Sequence, residues 1–423
     1  MADPNPPRLH LADMPNNTLK LGIVVGFLPL AIGFTFFAPQ GLTWLFMVQV
    51  AVMLVVFWSR LSVADIVWGL GPMTVFLVFL GLFLTWAVIC SLWSADKGTA
   101  LHAVTWFSVS ALAAVIGCLA ARYIGAEGRW HWFYFPIVTC LAALILIVVM
   151  THVLKLSPIG GKRLEQEWHY NRAALLIVML LPVALFAVER MRVETAWKLI
   201  ISTVTCLIVT LSIFMSQSES AKLALIVVAL AQTMLLLSIR WTARLVACVL
   251  IGLLVALPFL LDDAIAMFGV IGIGSHQPET YMARLQIWLG MLPYIERAPW
   301  FGNGVEFVRG AGHVVAATGE RVFHNHPHSF ILQTWVDLGL VGVLLLGGVL
   351  ASLIKLIAQL PQQPARMYLS MLLGVLAIWS VSHGMWQSWF VGLSSGTAIF
   401  AALCDHRARA EAGTGCEIEI CRT

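Results

Sequence analysis

From about residue 20 the sequence runs as a series of long apolar stretches parted by short polar breaks. A bilayer core takes about 20 apolar residues per helix. With no water there to satisfy backbone groups, only self-satisfied helices or closed barrels cross it. Stretches of this length read as helices. The chain is therefore expected to be an all-α, polytopic integral membrane protein. Spans fall near 20–38, 41–58, 73–93, 100–121, 131–154, 172–189, 196–214, 220–239, 242–260, 329–356, 366–383 and 386–404, twelve in all.

Charge narrows this further. Of 423 residues, 60% are hydrophobic and 11% charged, against about a quarter charged in soluble domains. A soluble globular enzyme is excluded. The net charge of +4 comes without a Lys/Arg block, so no nucleic-acid partner is expected. The eight cysteines form no CxxC pair, implying neither a zinc site nor a disulfide framework. The polar, Pro/Asn-rich N-terminus lacks a signal-peptide pattern, so the first run is expected to remain as a span.

Lys and Arg set orientation. With the N-terminus cytoplasmic, fifteen fall on the inner side and ten on the outer. That places both termini inside. The outer cations gather in two places, 155–172 and 284–321, against the usual bias. Retained positive charge there suggests an anionic ligand.

The longest outer loop runs from Asp262 to about His328, and loops of that length are usually functional. Within it Tyr281, Leu285, Trp288, Leu292 and Ile295 recur at helical spacing. This predicts an amphipathic helix on the membrane surface or capping a cavity, with Arg284 beside the stripe. Pro299-Trp-Phe-Gly-Asn-Gly304 is rich in turn residues, and His324-Asn-His-Pro-His328 closes the loop.

Each signal has a plainer reading. Arg284 suits a snorkelling anchor to membrane lipid headgroups. Three imidazoles in five residues have metal-ligand chemistry, but no Cys, Asp or Glu stands beside them, so no metal is expected. Asp262-Asp263 reads as the polar end of a span rather than a cation site. Glu219 and Lys222, three apart, suit a pair on one helix face. The many Trp residues suit interfacial belts.

The segments Arg284-Leu-Gln-Ile-Trp288, Pro299-Trp-Phe-Gly-Asn-Gly304 and His328-Ser-Phe-Ile-Leu-Gln-Thr-Trp-Val-Asp-Leu-Gly339 resemble the O-antigen ligase and polymerase superfamily. Its pattern has an Arg four residues before a Trp, a Pro-x-x-Gly-x-Gly turn, and a His-Asn/Ser followed by Leu-Gln and an acidic-x-Gly. Ser329 stands where Asn is commoner, and Asp337 supplies the acidic residue. Residues 280–342 carry the match. Asn171-Arg172 and Ser382-His-Gly-Met-Trp-Gln-Ser-Trp389 lend looser support. Many relatives have an Arg after span seven, where this chain has Glu219, with Lys222 one turn later.

The resemblance implies a GT-C-like membrane glycosyltransferase. It would move a glycan from undecaprenyl pyrophosphate to a sugar hydroxyl of lipid A–core, on the periplasmic face of the inner membrane. A leaving diphosphate needs cations, and Arg holds phosphate oxygens bidentately better than Lys. Arg284 is the first candidate and Arg172 the next, followed by Lys222, with Arg163 and Arg309 weaker; Glu219 stands in the same region. Histidine suits the acceptor's proton at neutral pH. His328 is the candidate base, with His326 or His324 orienting it or binding substrate. No Asp-x-Asp occurs, so the expected reaction is inverting, metal-independent and without cofactor.

The chain accordingly divides into a cytoplasmic segment (1–19), nine helices (20–260), the periplasmic loop (261–328), three helices (329–404) and a polar cytoplasmic tail (405–423). Helices 329–356 and 366–389 are expected to wall the histidine loop. An O-antigen polymerase or a protein glycan ligase would share these motifs. A secondary anion transporter fits the span count, but no internal repeat supports it.

Overall fold

The computed structural model describes residues 26–57, 70–124, 171–216, 218–270, 279–310, 314–315, 321–322 and 326–411. Its helices are α1 (Phe27–Phe37), α2 (Leu42–Phe57), α3 (Thr74–Cys90), α4 (Lys97–Ile124), α5 (Asn171–Glu189), α6 (Thr195–Met215) and α7 (Glu219–Leu237). They continue with α8 (Ile239–Val270), α9 (Glu279–Arg297), α10 (Phe307–Gly310), α11 (Phe330–Ala358), α12 (Gln362–Val381) and α13 (Ser388–Glu411). A short antiparallel ladder, β1 (Val314–Val315) with β2 (Arg321–Val322), interrupts the helical pattern.

Among the described residues eight helices, α3 to α8 with α11 and α12, are long and apolar enough to cross a membrane. Helices α1, α2 and α13 stand where three more spans are expected. The expected span at 131–154 lies outside the described residues, as do residues 1–19. The protein is an all-α polytopic membrane protein. Two helices overrun their predicted ends: α8 continues past 260 to Val270, and α13 past 404 to Glu411. Neither stretch meets a Gly or Pro until its last turn or beyond, and both are rich in good helix formers. Hydropathy marks where apolar composition stops, and these helices stop later.

Helix α5 is apolar on every side, and its sequence therefore suits full enclosure. Fifteen of its residues between Ala173 and Val188 are buried, and α1, α6, α7, α12 and α13 surround it. By contrast α6, α7 and α8 turn large apolar side chains such as Leu207, Leu230 and Phe259 outward. Lipid tails are as apolar as Leu, so helices in a bilayer are held by close packing and internal polar satisfaction. Thr205, Ser212, Thr334, Ser394 and Thr397 each return their hydroxyl to the carbonyl four residues earlier. Two apolar clusters result, one around α5 and one around α3, α8 and α11, and Trp379 of α12 packs against both.

Helix α11 is broken at Gly339, whose φ of 64° and ψ of −166° are non-helical. A break inside a membrane protein frees backbone groups that must find partners. The Pro299–Gly304 turn supplies most of them. Asn303 N donates to Val336 O at 2.8 Å and Gly304 N to Asp337 O at 3.1 Å. Leu340 N donates to Pro299 O at 2.8 Å and Val341 N to Trp300 O at 3.2 Å. Trp86 Nε1 of α3 donates to Leu338 O at 3.0 Å. A Cβ at Gly339 would lie 2.5 Å from the Trp300 carbonyl carbon, so the close approach excludes any side chain.

A second repair lies nearby. Pro258 has no N–H to give Leu254 O four residues earlier, and Trp335 Nε1 donates to that carbonyl at 2.7 Å. At one end of the bundle Glu189 pairs with Arg366, and Lys198 Nζ donates to Glu189 O at 3.0 Å. Lys198 and Arg366 both fall among the fifteen cations expected on the inner side. The opposite ends of α5 and α12 hold the residues considered next.

Candidate active site

The histidine loop enters α11 through a constrained backbone. His328 has φ of 55°, in the left-handed region, which Asn, Asp and His enter more readily than most residues. Ser329 follows as N-cap, its side chain accepting from Leu332 N, a role that Asn fills equally well. Trp288 Nε1 of α9 donates to Pro327 O at 2.9 Å and so ties α9 to the loop.

The hydrogen bonds fix both imidazoles. His328 Nδ1 lies 2.8 Å from Ser382 O, and a carbonyl only accepts. Nδ1 therefore carries the proton and Nε2 the lone pair. His326 is the reverse. Its Nδ1 accepts from His328 N at 3.3 Å, leaving the proton on Nε2. The two rings sit 4.1 Å apart between centroids. One imidazole thus offers an acceptor at Nε2 and its neighbour a donor. Gly384 abuts this pair, where a Cβ would come within 2.7 Å of His326 Cβ. Helices α11 and α12 flank the loop, as expected from the sequence.

Arg284 differs from expectation in one respect. The buried face of α9 is Ile287, Met291 and Ile295, and Arg284 falls on that same face at helical spacing. The expected stripe of Tyr281, Leu285, Trp288, Leu292 and Ile295 shares Ile295 with this face but is centred part of a turn away, which leaves Arg284 beside it. Periodicity saw two adjoining apolar faces and could not tell which one meets protein. Burial pulls the Arg284 pKa below its ordinary value, and the nearby Glu219 carboxylate opposes this. It remains a cation at neutral pH.

Arg172, in the first turn of α5, lies over the Trp389 ring with its guanidinium carbon 5.3 Å from the centroid. Glu219 and Lys222 pair on α7 at 2.7 Å, the plainer of their two readings. The exposed Glu219 also bears on Arg284, so the pair stands at the site's edge. Arg309 is exposed and its charge bears on Glu306. Arg163 and His324 lie outside the described residues.

One residue at this end was not singled out from the sequence. His383 follows Ser382 in the α12–α13 connection, and its ring packs against Trp389 and Phe390 at 4.8 and 4.9 Å. Burial pulls its pKa well below the ordinary histidine value, and His326, His328, Arg172 and Arg284 all push in the same direction. Those four residues and His383 form one cluster. The available signal was the polar break Ser382–Trp389 with its two tryptophans.

Behind the cluster lies Asp337, fully buried. Its carboxylate accepts from Trp386 Nε1 at 2.8 Å, Glu306 N at 3.1 Å and Phe307 N at 3.2 Å. Gln333 Oε1 accepts from Met385 N at 2.6 Å. The acidic residue of the motif therefore joins the Pro299–Gly304 turn and the α12–α13 connection to α11. Glu306, beside it, has its pKa pushed up to about 7, first by burial and then by Asp337, with Arg309 opposing. Among the described residues no three His, Cys, Asp or Glu side chains converge as metal ligands.

Two arginines and two imidazoles of opposite tautomer thus stand together at one end of an apolar helical bundle in a membrane protein. Residues 204–347, about a third of the chain, match the family model described as O-antigen ligase. The matched segment runs from within α6 into α11 and includes Glu219, Lys222, Arg284, His326 and His328. No curated protein matches the chain.

Proposed function

We propose that the protein is an O-antigen ligase. It transfers O-antigen polysaccharide from undecaprenyl pyrophosphate to a sugar hydroxyl of lipid A–core, at the periplasmic face of a bacterial inner membrane, with both termini in the cytoplasm. The observation that carries this reading is the His328 Nδ1 contact with Ser382 O at 2.8 Å. It leaves Nε2 as a base within the cluster that holds Arg172 and Arg284.

His328 Nε2 takes the proton of the acceptor hydroxyl as its oxygen attacks the anomeric carbon. The bond from that carbon to the diphosphate oxygen breaks, and its electron pair leaves with the diphosphate. Arg284 and Arg172 stabilise the charge that develops. His326, with its proton on Nε2, donates to substrate, and attack opposite the leaving group inverts the anomeric centre. Lys222 and Glu219 border the site; Arg309, Arg163 and His324 remain outer candidates for glycan contacts.

The purified protein, given the carrier-linked glycan with lipid A–core and a second carrier-linked chain, should glycosylate lipid A–core. Lengthening of carrier-linked chains alone would make it a polymerase and overturn the ligase reading.

A further inference from the structure

His383 lies outside the matched segment, and its role is not set by the histidine–arginine motif. Its Nε2 is buried and has no hydrogen-bond partner among the described residues. Leaving a buried polar group without a partner is costly, so such a group in a native fold needs a reason. Two further buried atoms at the same end of the bundle are also unmet. They are Asn171 Oδ1, next to Arg172, and Gln387 Oε1, four residues after His383. The ring is not loose. Trp389 and Phe390 hold it, and Trp389 also carries the Arg172 guanidinium.

The chemistry at this end of the bundle is mixed. Arg172 and Arg284 offer positive charge, the unmet His383 Nε2 a hydrogen-bonding nitrogen, and the two amide oxygens acceptors. A glycosyl diphosphate joins those needs in one ligand, with anionic oxygens on one side and sugar hydroxyls on the other. We infer that His383 is a substrate-binding residue whose Nε2–H donates to the diphosphate of the lipid carrier beside Arg172. This rests on the donor proposed above. Since the imidazole stays uncharged beside two arginines, it adds a hydrogen bond without a third buried cation.

The test uses full-length protein in nanodiscs and undecaprenyl diphosphate without glycan as the probe. Binding and the lipid-free melting temperature are measured for wild type, His383→Leu and His383→Gln. The expected result is roughly 10- to 100-fold weaker binding by His383→Leu, the scale of one hydrogen bond to a charged group. Its lipid-free melting temperature should be unchanged or higher, because the unmet group is gone. His383→Gln, which restores an N–H at similar reach, should recover most of the affinity. Equal binding by wild type and His383→Leu would overturn the role of His383 and leave the donor reading standing. A fall in lipid-free melting temperature in both variants, matching the loss of binding, would make His383 structural and also overturn it. If wild type fails to bind the probe, the donor reading falls and the inference with it.

Discussion

A histidine can serve as a base only if the right nitrogen holds its lone pair, and a single carbonyl decides this for His328. Ser382 O fixes the proton on Nδ1. His328→Asn removes the base while tolerating the φ of 55°. Glycan transfer should fall by roughly 10²- to 10⁴-fold with membrane insertion and melting temperature near wild type; transfer at the normal rate would remove His328 from the mechanism. Glu306 gives a pH signature of a different origin. Its folded pKa of about 7 lies above the ordinary 4.5, so the folded state binds the extra proton. Its contribution to stability is complete below pH 4.5 and is lost as pH rises through about 7. Glu306→Gln should raise the melting temperature at neutral pH and flatten its decline across that window. That His326 stands beside His328, and Arg284 one turn before Trp288, was legible because each pair is close in sequence. His383 was not, because only the meeting of α5, α9, α11 and the α12–α13 connection shows what surrounds it.

At the scale of elements, the break in α11 and the Pro299–Gly304 turn form one unit, since each satisfies the other's backbone groups. Gly339→Ala would place a Cβ in a left-handed conformation and against the Trp300 carbonyl. Strain of this kind costs on the order of 1–3 kcal/mol before the clash is counted. A lower melting temperature in detergent should follow, together with loss of transfer, because the histidine-bearing end of α11 depends on this joint. Both motifs stood in the sequence as separate turn and acidic-x-Gly signals. Their mutual dependence is a hydrogen-bonding relation across some forty residues, which local pattern does not encode. Helix positions were legible because apolar length is set by the bilayer. The extended ends of α8 and α13 and the rotated face of α9 were not, because they depend on propensity and on which neighbour is met.

At the scale of the molecule, the enclosure of α5 divides the bundle into a helix that meets only protein and helices that face outward. Spans α6, α7 and α8 each have one face open. A photoreactive residue replacing Leu230, on the outward face of α7, should therefore capture a prenyl chain, and one replacing Val178 in α5 should capture none. Mass analysis of the adducts reads the difference, and equal capture at both sites would contradict it. The same enclosure constrains how a lipid-linked substrate is threaded. Arg172 opens a helix enclosed by protein, so a lipid-linked donor of the proposed kind would meet it only through the polar head. The carrier's tail has to stay with the open helices while its head crosses to the arginine. On that proposal head and tail would part at the rim of the bundle, and Glu219 and Lys222 of α7 stand on this rim as a polar boundary.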